Sequence, residues 1–191
     1  HSEIKQANRS AESMTTAAEA IATIASLRGF AYPKDSFRRN WEEICFNHHH
    51  DTLPGSGIHP PYEKTKNQLA RVVADDKDII QRAMESMVVQ VTAPKGISQM
   101  LFNPTGWKRS GWIECYLVKS GWDQTENIHD TAAAAVAPDG SHSPVEVIDP
   151  ISHKVRFWAA DVPAFGYKVF RFEDAKNKPA DLAGADDTIE S

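Results

Sequence analysis

Asn47-His48-His49-His50-Asp51-Thr52-Leu53-Pro54-Gly55-Ser56-Gly57-Ile58 is the stretch from which the fold follows. The residues on either side carry a helical period, so this segment joins two helices. Pro54 and Gly55 stop a helix and permit a sharp change of direction. Three imidazoles and a carboxylate at such a turn are poorly placed to build a core. They are well placed to present ligands, because imidazole and carboxylate commonly bind zinc-like ions and carboxylates also grip hydroxyl groups.

Upstream, residues 1–28 carry apolar side chains at Ile4, Ala7, Ala11, Met14, Ala18, Ile21 and Ala25. That three-four spacing is the seam of a helix packing on other helices. Arg28-Gly29 ends it, with Gly29 suited to a left-handed cap. Tyr32-Pro33 forces an extended link, and a second helix starts near Lys34-Asp35. Its expected buried face is Phe37, Trp41, Ile44 and Cys45. Downstream, a third helix follows Pro60-Pro61 and runs to about Val91, with the stripe Tyr62, Leu69, Val73, Ile80, Met84, Met87 and Val91 interrupted by Asp76. His59, before the two prolines, reads as a turn residue. Three matching stripes with short links predict an antiparallel three-helix bundle over residues 1–93.

At Pro94-Lys95-Gly96 the period changes to short strands divided by turn residues. The expected strands are Gln99–Asn103, Gly111–Val118, Ala132–Ala137, Val145–Ile148, Val155–Ala160 and Gly166–Phe172. Asn103-Pro104-Thr105-Gly106, Pro138-Asp139-Gly140-Ser141 and Asp149-Pro150 are the turns. Residues 94–173 therefore read as a small antiparallel β-sheet or sandwich, and the fold class as α+β. Residues 174–191 read as a polar linker or the start of a further β domain.

The 191 residues are 41% hydrophobic and 25% charged, ordinary for a globular protein. A net charge of -5 argues against a nucleic acid or an anionic membrane surface as partner. No apolar run reaches bilayer length. Residues 1–28 are amphipathic rather than basic-then-apolar, unlike a signal peptide. With no initiator Met, the chain is expected to be a fragment or a processed product. Cys45 and Cys115 read as buried thiols.

Consecutive residues point in different directions, so His48, His49 and His50 cannot all face one ion. One or two of them could, together with Asp51, or the cluster is a solvated polar turn closing the second helix. No His-x-Asp, His-Glu-x-x-His or Cys-x-x-Cys accompanies it. No carboxylate pair stands out as the acid and nucleophile of glycoside hydrolysis, and Gly55-Ser56-Gly57 is not a nucleophile elbow. Asp75, Asp76 and Asp78 read as a solvated helix face. Trp107, Trp112, Trp122 and Trp158 read as core, with a sugar-stacking platform as the alternative.

Four motifs, in order, resemble one family. Trp41 followed by the Asn47–Ser56 run resembles the middle segment of glycoside hydrolase family 38, the retaining α-mannosidases. Ile4–Glu12 resembles the start of that family's helical domain. Leu101-Phe102-Asn103-Pro104-Thr105-Gly106-Trp107-Lys108-Arg109 resembles its passage into the β domain, and Asp161-Val162-Pro163-Ala164-Phe165-Gly166-Tyr167 its Val-Pro-Ala-x-Gly-Tyr segment. The resemblance covers about residues 1–173. It implies one zinc ion, held by a His-x-Asp pair, an aspartate nucleophile and a later histidine, which here is His50. Asp51 would contact sugar hydroxyls. The family's catalytic α/β domain and most of its large β-sandwich have no counterpart in this sequence, so no catalytic residue is expected in the chain. The implied function is that of a fragment or subunit of an α-mannosidase hydrolysing terminal α-mannosides by a zinc-assisted retaining mechanism. Its partners would be a mannose-containing glycan, the catalytic domain and the remaining β-sandwich. A non-catalytic scaffold or interaction module, or a carbohydrate-binding module, is the alternative.

Overall fold

A computed structural model describes residues 2–50, 52–53, 59–92, 96–117 and 132–174. The chain divides into two compact units, His1–Val91 and Thr92–Ser191. The first contains α1 (Ser2–Ser26), α2 (Lys34–Asn47) and α3 (His59–Val88). The second contains β1 (Ser98–Asn103), β2 (Arg109–Tyr116), β3 (Ala132–Val136), β4 (His142–Asp149), β5 (Lys154–Val162) and β6 (Gly166–Asp174). The expected linker over 174–191 lies, beyond Asp174, outside the described residues.

In the helical unit, α1 ends as its sequence predicts. Gly29 sits at φ 98, and Phe30 N–H reaches back to Ala25 O at 3.2 Å, the long bond of a Schellman cap. His59 does not form a turn as expected but opens α3, whose first turn accommodates Pro60 and Pro61 because orphan N–H positions need no donor. Cross-helix pairs fix direction. Lys66 with Glu3, Thr15 with Asp76 and Gln90 with Arg28 occur in the same order along α1 and α3, so those helices run alongside in one sense. Asn47 with Thr65 and Asn40 with Asp76 run in the reverse order, so α2 opposes α3.

The apolar packing falls into two clusters. One is Ala11, Ile44, Leu69 and Val72, flanked by Ala7 and Trp41. The other is Ala18, Ala22, Phe37 and Ile79, flanked by Phe30 and Ile80. All three helices contribute to both. In sequence, Thr15, Asn40 and Asp76 each fall between the members of the two clusters, making a polar layer.

Asp76 corrects the sequence reading twice: it neither interrupts the α3 stripe nor faces solvent. It is fully buried, and the stripe is Thr65, Leu69, Val72, Asp76, Ile79, Ala83 and Met87. Thr15 Oγ1 donates to its Oδ2 at 2.6 Å, and Asn40 Nδ2 donates to its Oδ1 at 2.8 Å. Those two donors make burial of the carboxyl tolerable. Cys45 is also corrected: it is exposed, because Ile44 and the amide of Asn47 take the inward positions at the end of α2. Cys115 is half-buried, and desolvation pushes its thiol up to about 11.

The second unit is a six-stranded antiparallel sheet of order β1-β6-β3-β4-β5-β2. Its inner face is Ala135, Val155, Phe157, Ala159, Phe170 and Phe172. Ile97 and Leu101 from one edge, and Leu117 and Ile113 from the other, pack on that same cluster. The sheet therefore curls until it is nearly barrel-like, with β1 and β2 at the two ends of the strand order among the described residues. Phe157 packs against Phe170 and Phe172 with centroids at 5.2 and 5.4 Å.

Asn103 organises one end of the sheet. It is buried, and its Nδ2 donates to the carbonyls of Trp107, Val162 and Pro163 at 2.7, 3.2 and 3.1 Å. Its Oδ1 accepts from Thr105 N–H and Thr105 Oγ1. Phe165, held at φ 44, donates its N–H to Thr105 O at 3.0 Å. The two β motifs found far apart in the sequence, around Asn103 and around Pro163, thus meet through one side chain.

Candidate functional site

The candidate site grows from the C-terminal end of α2. Asn47 is almost wholly buried. Its Nδ2 donates to Glu43 O at 2.9 Å, and its Oδ1 accepts from Thr65 Oγ1 on α3 at 3.0 Å. His48 closes α2, its N–H bonded to Cys45 O at 3.1 Å. Its Nε2 lies 3.0 Å from Glu12 Oε1 and 3.0 Å from Asn8 Nδ2, both on α1. One ring nitrogen offers either a hydrogen to Glu12 or a lone pair to Asn8, and its tautomer selects between them.

His49 and His50 follow on the surface, their rings 4.2 Å apart and tilted by 36°. His49 O accepts from Thr52 N–H at 2.9 Å and from Leu53 N–H at 3.1 Å, so the backbone turns tightly across His50. His50 is exposed. Asp51, the other site residue expected from sequence, lies outside the described residues, as do residues 54–58. Beside the turn is a cleft of about 500 Å³ lined by Lys5, Asn8, Arg9, Glu12, His48 and Leu53. Asn8 is buried there, and its Oδ1 meets no hydrogen-bond partner among the described residues.

An exposed imidazole is a suitable donor for one bond to a zinc-like ion. Among the described residues, however, no three His, Cys, Asp or Glu side chains come close enough to hold a metal. The described part of the chain offers single donors, not a complete ligand set.

The tryptophans depart from the core reading. Trp112 is 59% exposed and Trp158 41% exposed. They sit opposite each other on β2 and β5, edge to face, with centroids 5.6 Å apart. Arg156 lies 5.2 Å over Trp112 and bonds Glu146 at 2.6 Å. Alternation sends Phe157 and Ala159 inward and therefore sends Trp158 outward. Trp107 is exposed too. Trp122 lies outside the described residues. Strand alternation set against the inward Phe157 was the available signal for this outward face.

Residues 1–87 match the family model described as the alpha mannosidase middle domain. Two solved structures share the fold. One is a glycosyl hydrolase family 38 protein from Enterococcus faecalis, with 15% identity and a TM-score of 0.61, over 90% of this chain and 23% of that one. The other is an alpha-mannosidase from Enterococcus faecalis V583, with 15% identity and a TM-score of 0.63, over 87% and 21%. The chain thus spans less than a quarter of the length of either. No curated protein matches it. The family-model match agrees with the motif resemblance over residues 1–87, and the two structures show a shared fold.

Proposed function

We propose, from a helical unit matched by the alpha mannosidase middle-domain model, that this chain is the central part of a retaining α-mannosidase acting on terminal α-mannosides. In this reading the three helices form an antiparallel bundle whose α2–α3 turn faces the substrate. His50 holds zinc through one imidazole nitrogen, and Asp51 accepts hydrogen bonds from sugar hydroxyls. The remaining zinc ligands, the nucleophile and the acid come from a catalytic α/β domain that this sequence does not contain. Zinc, when bound, would supply Lewis-acid binding of the sugar's hydroxyls. The residues of this chain orient the ion and the sugar and make or break no bond.

The observation that carries the reading is the exposure of His50 on a turn anchored to both neighbouring helices, inside a segment matched by the middle-domain model. The division of labour fits retaining hydrolysis, which needs two suitably spaced carboxyls, since no pair stands out as such in this sequence. The 191-residue chain is therefore expected to release no aryl leaving group from an aryl α-mannoside and to bind zinc weakly. Turnover by the purified chain, lost in a His50→Ala variant, would place catalytic groups inside it and overturn this assignment.

A second reading rests on a separate observation, the outward Trp112–Trp158 pair beside Arg156. Exposed indole faces stack on pyranose rings, which suits a carbohydrate-binding module. Saturable binding of a mannose oligosaccharide, abolished by Trp112→Ala or Trp158→Ala, would favour it.

A further inference from the structure

We infer that Thr65 and Glu12 are positioning residues for the His50 turn, acting through Asn47 and His48. The inference rests on the proposed role of His50 and adds what holds that residue in place. The turn leaves α2 at two consecutive side chains, each tied to a different helix. Asn47 is 2% exposed and receives the Thr65 hydroxyl at 3.0 Å, which fixes the end of α2 against α3. Asn47 also donates to Glu43 O one turn back, so its amide cannot rotate without breaking two bonds. His48 reaches the opposite side, 3.0 Å from Glu12 Oε1 on α1. Beyond these two residues the backbone closes on itself, with Thr52 and Leu53 N–H groups both bonded to His49 O.

The consequence for His50 is geometric. A side chain that must meet an ion shared with other polypeptide has to be held within a fraction of an ångström, and side chains on unsupported loops are not. The α1 and α3 braces supply that support without touching His50 itself. The Thr65 brace is the stronger of the two, because its bond is buried and the Asn47 oxygen would have no water to replace it. The Glu12 brace is half-exposed, and solvent weakens it.

Hydrogen exchange on the 191-residue chain tests this, with the Thr52 and Leu53 amides reporting on the turn and the Ile79 amide on the stability of the whole helical unit. In Thr65→Val, which replaces the hydroxyl by a methyl of similar size, the Thr52 and Leu53 amides are expected to exchange about tenfold faster. Thr65→Ser should restore them. Glu12→Ala should speed them by about two- to threefold. An Ile79→Val control should accelerate the Ile79 amide and leave Thr52 and Leu53 unchanged. The inference is overturned if Thr65→Val accelerates Ile79 but not Thr52 and Leu53, since the bond would then stabilise the unit without holding the turn.

A second measurement separates this inference from the reading it rests on. Zinc added alone to the unmodified chain should perturb the His50 ring resonances ahead of those of His142 and His153. Perturbation of the His50 ring ahead of the others supports the metal role on which the inference rests. Zinc that leaves His50 unmoved while the exchange results hold overturns the metal role and leaves the two braces standing.

Discussion

Asp76 in the helical unit and Asn103 in the β unit are both buried polar side chains joining segments far apart in sequence, yet they do so with different electrostatic consequences. Asn103 is neutral and has both amide atoms satisfied, by three carbonyls on one side and the Thr105 N–H and hydroxyl on the other. Asp76 ties α1 and α2 to α3, but its direct partners Thr15 and Asn40 are neutral. Burial raises its carboxyl above the ordinary 3.8, the Thr15 and Asn40 bonds draw it back, and the charges of Asp75 and Glu19 raise it further. A satisfied amide joins segments at every pH. A buried carboxyl does so at a cost that depends on its proton.

Breaking the Asn103 node should have the largest effect. Asn103→Ala removes a donor from three carbonyls, of which Trp107 O keeps Thr105 Oγ1 and Pro163 O keeps Gly166 N–H, leaves Thr105 N–H without its acceptor and loosens the Phe165 turn, so about 3 kcal/mol of β-unit stability should disappear. Urea denaturation followed through the tryptophans of that unit measures it, and a loss under about 1 kcal/mol would mean that water replaces the amide.

Asp76→Ala should cost the helical unit about 2 kcal/mol by leaving Thr15 Oγ1 without its acceptor and Asn40 Nδ2 with the Asp75 carboxylate alone. Asp76→Asn sharpens the contrast through pH. Because the folded carboxyl titrates above its unfolded value of 3.8, its contribution is fully present below that value and is lost as pH rises through the raised folded value. The melting temperature of the wild-type helical unit, less that of Asp76→Asn, should therefore fall as pH is raised from about 4 toward neutrality. A difference that stays flat would show that the Thr15 and Asn40 bonds cancel the desolvation.

Trp112→Ala should do least. The indole is mostly exposed, so removing it and its contact with Arg156 should change β-unit stability by less than about 1 kcal/mol in thermal melts. A larger loss would mark the outward tryptophan pair as structural and weaken the sugar-stacking reading.

Helix and strand periods made most of the architecture legible. The α1 stripe, the Gly29 cap and all six strands appear close to where hydrophobic spacing and turn residues put them. The α3 stripe was misread at Val73, Ile80 and Met84, which are only half-buried, because an aspartate was treated as an interruption. Periodicity ranks residues by hydropathy, and a carboxyl with two designated donors looks the same as a solvated one. Cys45 and the tryptophans failed for a related reason: an apolar or aromatic residue need not take the inward position when a neighbour does, as Asn47 does beside Cys45 and Phe157 beside Trp158. The candidate histidines were visible at once, whereas their supports, Thr65 and Glu12, carry no local signal.

By itself the sequence determined the element order, the α+β class, the family motifs and the surface turn carrying His50, since all of these depend on residue type and on spacing along the chain. Tertiary structure alone decided that Asp76 joins three helices, that Asn103 unites two distant motifs, and that Asn47 and His48 anchor the turn to different helices. Those outcomes depend on hydrogen bonds between residues 18 to 61 positions apart, and their geometry exists only after the elements have packed.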